Sequence, residues 1–119
     1  MRKDNGKVTI AIPLSEKRLS LHFGHCSEFL IAEVDRTTGD IMARKLVPAP
    51  PHQPGMLPSW LHDQGAQVII AGGMGQRAQQ LFQQKGLSVV VGAAASEPEL
   101  IISDYIKGTL VTGGNICDH

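Results

Sequence analysis

Val8, Ile10 and Ile12 alternate with smaller or polar residues, a period of two that predicts a half-buried strand over Lys7 to Ile12, closed by Pro13. Two more β-rich runs, Glu28 to Val34 and Ile41 to Val47, flank the polar cluster Asp35-Arg36-Thr37-Thr38-Gly39-Asp40. That arrangement predicts a hairpin and an antiparallel first half. The five prolines and one glycine between Pro48 and Pro58 predict an irregular surface loop, followed by a short helix near Ser59 to Gln64 whose Trp60 packs onto the sheet.

The second half alternates: strand Gln67 to Ala71, helix Gly75 to Lys85, strand Leu87 to Val91, helix Glu97 to Lys107. Ala78, Leu81, Phe82 and Lys85 recur at helical spacing, Gln76, Gln79, Gln80, Gln83 and Gln84 supply a wet face, and Gly86 is the stop. Ser96 with Glu99 three residues on, and Pro98 between them, predicts a capping box on the last helix. Strand–helix–strand units pair in parallel, so Val68-Ile69-Ile70 and Val89-Val90-Val91 are expected in the middle of the sheet, covered on both faces. The expected fold is α/β: a five-stranded mixed sheet, three antiparallel strands followed by α-β-α-β-α, with helices packed on it.

Length and composition narrow the function. A chain of 119 residues fits one domain, read as residues 1–107 with a flexible tail over 108–119. Its 11 basic and 11 acidic residues create no field that would draw it to nucleic acid or anionic lipid. No apolar run is long enough to span a bilayer and the start leads directly into a strand pattern, so a cytoplasmic protein is expected. Cys26 and Cys117 cannot form a disulfide framework; in a reducing compartment each is a free thiol or a metal ligand.

Three segments hold candidate chemistry. The loop Leu21-His22-Phe23-Gly24-His25-Cys26 follows the first strand and combines a thiol, two imidazoles and a glycine that lets a bulky ligand approach the backbone. Histidines on such a loop are as often merely solvated. The tail Cys117-Asp118-His119 is a second group of soft donors. Neither group has the spacing of a closed zinc site. Gly72-Gly73-Met74-Gly75 lies between a strand and a helix, where backbone N–H groups and the helix dipole favour an anion. Gly73, Gly75 and Ala78 also satisfy the G-x-G-x-x-G/A spacing, so a nucleotide- or anion-binding regulatory module is the alternative function. Against it, the strand is not the first and Gly92-Ala93-Ala94-Ala95 stands where a dinucleotide fold needs an acidic residue. His52 and His62 read as solvated surface residues.

His22-Phe23-Gly24-His25-Cys26 with Phe29, the run Gly65 to Ala78, and Gly86-Leu87-Ser88-Val89 together resemble the dinitrogenase iron–molybdenum cofactor biosynthesis family, small proteins related to NifX and to the C-terminal part of NifB. The resemblance covers roughly Val8 to Lys107. It implies a ribonuclease H-like fold and a non-enzymatic role: binding, carrying or transferring a labile iron–sulfur or molybdenum-containing cluster. By this reading His22, His25, Cys26, Cys117 and His119 are the metal ligands, and Phe23, Gly24, Gly72, Gly73, Met74 and Gly75 surround the cluster. The implied partners are cluster donor and acceptor proteins, without nucleic acid or membrane, and the implied state is a monomer or weak homodimer. Nucleases sharing that fold hold metal ions with acidic residues on the first strand, and Lys7 to Ile12 has none.

Overall fold

A computed structural model describes residues 6–15, 18–19, 28–49, 56–93 and 97–110. Its elements are β1 (Lys7–Ser15), β2 (Arg18–Leu19), β3 (Glu28–Asp35), β4 (Ile41–Pro48), α1 (Met56–Asp63), β5 (Val68–Ile70), α2 (Gln76–Gln84), β6 (Ser88–Val90) and α3 (Pro98–Lys107). The strands lie in the order β4-β3-β1-β5-β6, with β2 paired to the end of β1. β1 runs antiparallel to β3 and parallel to β5, and β5 is parallel to β6, so the sheet is mixed as expected. The two-residue β2 is additional, and too short for any alternation to announce it.

The period of two sorts the strand residues onto two faces. Ile10, Ile12 and Leu14 of β1, with Leu30 and Val34 of β3 and Ile70 of β5, pack against Ile101 and Ile102 of α3. Ala11, Phe29, Ile31 and Ile69 face the other way, onto Leu57 and Leu61 of α1 and Phe82 of α2. The result is a three-layer sandwich with α3 on one side and α1 and α2 on the other. Each fully buried Ile, Leu or Phe contributes roughly 1.5–3 kcal/mol, so these two clusters hold the layers together. Trp60 joins the second, its ring centroid 5.5 Å from that of Phe29 at an interplanar angle of 54°.

Four expectations change. Pro13 does not end β1, which continues to Ser15. The carbonyl of Thr9 accepts from the Gln67 N–H at 2.9 Å, so the odd residues of β1 turn their backbone groups towards β5. Pairing with β5 stops at Ala11, and the missing N–H of Pro13 therefore breaks no ladder bond. Second, only Val68-Ile69-Ile70 is buried throughout; among the described residues β6 is an edge strand, and Val89, Val90 and Val91 are half-buried. Third, α1 begins at Met56 and encloses Pro58, which sits in the first turn where N–H groups lack intrahelical acceptors. Fourth, the N-cap of α3 is Glu97 with no side-chain capping bond, and Glu99 pairs instead with Arg44 of β4. Ser96 lies outside the described residues.

Gly86, at φ 86°, follows α2 as anticipated. Beyond α3, Thr109 donates its N–H to the Asp104 carbonyl at 2.8 Å, and Leu110 packs on the α3-side cluster. Among the described residues, no helix is long and apolar enough to cross a membrane.

Candidate functional site at the carboxyl end of the parallel strands

Ile10 stands beside Val68 and Ala11 beside Ile69, while Val68 stands beside Ser88, so β1, β5 and β6 all finish at the same end of the sheet. β3 begins there, with Glu28 opposite Leu14, and β4 finishes there, with Pro48 opposite Glu28. The carboxyl ends of parallel strands are where open α/β sheets hold ligands.

The turn from Ala71 to Gly75 occupies this end. Ala71 donates its N–H to the Val90 carbonyl at 2.8 Å and accepts from the Ala93 N–H at 3.3 Å, and the Gly72 carbonyl accepts from the Gly92 N–H at 2.8 Å. The turn is thereby fastened to the chain leaving β6. Gly92 does this at φ 90°, a left-handed conformation that glycine adopts without steric cost. Gly72 and Gly73 are buried and Gly75 is half-buried. The Met74 side chain is fully buried in the core under α1 and α2 and anchors the turn, of which Gly75 is the part that reaches the surface.

Gly75 is the N-cap of α2, at φ −64° and ψ 157°, with no side-chain capping bond. Any residue can adopt that conformation, and a Cβ built on Gly75 would meet nothing within 4 Å. Neither strain nor packing therefore demands glycine there, and serine or aspartate would cap the helix better. A bare N-cap leaves the first-turn N–H groups, at the positive end of the helix dipole, open to an anionic ligand.

Gln79 was expected on the wet face but folds back, its Nε2 donating to the Met74 carbonyl at 2.9 Å in a partly buried contact. Its own N–H donates to the Gly75 carbonyl at 3.1 Å. The signal for this is positional: a long polar side chain in a helix's first turn can reach back to the residues before the cap.

Of the sequence-derived site residues, the structure brings together Gly72, Gly73, Met74 and Gly75. His22, Phe23, Gly24, His25, Cys26, Cys117 and His119 lie outside the described residues, as does His52. The described residues that flank the histidine–cysteine segment, Leu19 and Glu28, pair with Leu14 at the site's end of the sheet. His62 is exposed on α1, its Nδ1 3.7 Å from the Asp63 carboxylate. Among the described residues, no group of three or more His, Cys, Asp or Glu side chains comes together.

A family model described as dinitrogenase iron–molybdenum cofactor matches residues 6–108. The uncharacterized protein MJ0580 of Methanocaldococcus jannaschii is 31% identical over 106 residues, which cover 85% of this chain and 87% of that protein. The crystal structure of PH0822 superposes with a TM-score of 0.80 at 29% identity, covering 88% of this chain and 94% of that one. The apo form of the orange protein from Desulfovibrio gigas superposes with a TM-score of 0.71 at 21% identity, covering 90% and 93%, and so shares the fold.

Proposed function

Because the chain belongs to the dinitrogenase iron–molybdenum cofactor family, we propose that it binds and carries a labile iron–sulfur or molybdenum-containing cluster as cargo. The observation that carries this reading is the convergence at one end of the sheet. The bare glycine turn before α2 and both flanks of the histidine–cysteine segment, Leu19 and Glu28, stand there together.

In this reading Cys26, with His25 or His22, ligates the cluster, while Phe23 and Gly24 lie alongside it. The N–H groups at Gly73 to Gly75, beside Gly72 and Met74, offset its negative charge, and Cys117 and His119 complete the donor set. A carrier must hold its cargo yet release it, so it needs few ligands. Two cysteines cannot supply the four thiolates of a permanent iron–sulfur site, which suits that task. Thiolate and neutral imidazole are the binding forms, and acidification through the histidine range should therefore loosen the cargo.

The sheet order β4-β3-β1-β5-β6 supports reading the scaffold as ribonuclease H-like. Its first strand lacks the carboxylates of nuclease chemistry, and the proposed role is carriage with no catalytic step. The partners are then proteins that deliver or accept the cluster. The nucleotide-binding alternative is not favoured: the family match points to cofactor chemistry instead.

Anaerobic reconstitution with ferrous iron, sulfide and molybdate tests the assignment. The wild-type chain should develop a visible chromophore that Cys26→Ala and His25→Ala variants retain poorly. Chromophores unchanged in both variants would remove the site.

A further inference from the structure

The peptide bond between Met74 and Gly75 is pinned at both ends. The Met74 side chain is fully buried, and the Gly75 carbonyl accepts from the Gln79 N–H at 3.1 Å. The plane between these two Cα atoms is gripped by a side chain, because Gln79 Nε2 donates to the Met74 carbonyl at 2.9 Å. Side chains on a helix lean towards its N-terminus, which brings the Gln79 amide over that carbonyl. In a trans peptide the carbonyl and the following N–H point in opposite directions, and among the described residues no peptide is cis. With the Met74 carbonyl held towards Gln79, the Gly75 N–H is aimed away from it.

Turning this peptide over would reverse its polarity without moving either end. The turn rotates φ of Gly75 by about 180° from −64° while ψ stays at 157°, into a region of positive φ and extended ψ that glycine alone occupies readily. Glycine is needed for the turned state, whereas the observed conformation suits any residue and leaves open space beside the Cα. Any other residue would lock the peptide as it stands. In the turned state the carbonyl oxygen, the negative end of the peptide dipole, replaces the N–H on the side away from Gln79.

We propose that Gln79 is a positioning residue and the latch of a two-state peptide. Engaged, it aims the Gly75 N–H at anionic cargo; disengaged, it lets the peptide turn and present an oxygen that repels the same cargo. The proposal rests on the reading that the glycine turn holds an anionic cluster, and it supplies the release step that a carrier needs. A single neutral hydrogen bond is weak enough to be undone during transfer.

Gln79→Glu tests the latch, since it keeps the shape of the side chain while its carboxylate accepts and cannot donate. In the cluster-free protein the peptide should turn so that the Gly75 N–H donates to the introduced carboxylate. NMR should then show the Gly75 amide proton moved downfield by a charge-assisted hydrogen bond. Its Overhauser contact with the Met74 Hα should also change, because that distance follows ψ of Met74. Adding Gly75→Ala should block the turn, leaving that contact as it is in Gly75→Ala alone. Gln79→Glu should also lower the melting temperature more in the alanine background than in the glycine one, a non-additive cycle that a merely structural tie would not give.

After reconstitution with ferrous iron, sulfide and molybdate, Gln79→Glu should retain at least about fivefold less chromophore than Gln80→Glu, which places the same charge on the exposed neighbouring residue. An unmoved Gly75 amide, an additive cycle, or retention equal to that of Gln80→Glu overturns the latch. A wild-type chain that forms no chromophore, beside a Gln79→Glu variant whose peptide has turned, overturns the cluster reading and supports the two-state peptide.

Discussion

The side-chain amide of Gln79 donates to the Met74 carbonyl at 2.9 Å, tying the first turn of α2 back over the glycine turn that precedes it. A net hydrogen bond is worth about 1 kcal/mol, and the carbonyl left behind in a partly buried place adds to the loss. Gln79→Ala should lower the unfolding free energy by about 1–2 kcal/mol in urea titrations. Amide exchange at Gly73 and Gly75 should quicken more than exchange in β1, which would separate local loosening from global destabilisation.

Gly75→Ser separates fold from function. The backbone at Gly75 is extended and its surroundings are open, so serine fits and supplies the missing cap. Thermal unfolding should show stability unchanged or raised by up to about 1 kcal/mol. Cluster retention after reconstitution should nonetheless fall, because the hydroxyl occupies first-turn N–H groups and the Cβ fills the approach to them. A stabilised variant with full retention would count against the turn as part of the cradle.

Phe29 is fully buried and meets Trp60 at 5.5 Å between ring centroids. Phe29→Ala should cost about 3–5 kcal/mol by opening a cavity between β3 and α1. Since Trp60 is the only tryptophan, its emission reports this contact directly and should shift to the red in a Phe29→Leu variant that remains folded.

Gly86 ends α2 at φ 86°, and a Cβ there would touch nothing within 4 Å. The cost of Gly86→Ala is therefore one of backbone conformation alone, about 1–2 kcal/mol in chemical denaturation. Gly86→Asn should cost less, since asparagine tolerates the left-handed region.

Much of this architecture was legible in the chain itself, because hydrophobic period reports how each segment is buried. The two-residue alternation of β1 and the helical spacing around Phe82 set element type, and the positive-φ stop at Gly86 needed only a glycine in the right place. The combination of His22-Phe23-Gly24-His25-Cys26 with the glycine turn carried the family. Interactions between segments distant in the chain were not legible. Glu99 reads locally as half of a capping box, yet it pairs with Arg44, brought to it by the sheet and the packing of α3. Val89-Val90-Val91 reads as a central strand, and only the strand order reveals that it is an edge. Pro13 reads as a terminator until the β5 pairing is seen to stop at Ala11. Local sequence determines what a segment prefers to be, since propensity and period act over a few residues. Which backbone groups find partners, and which charges meet, depends on the tertiary arrangement that brings the ends of β1, β3 and β5 to one place.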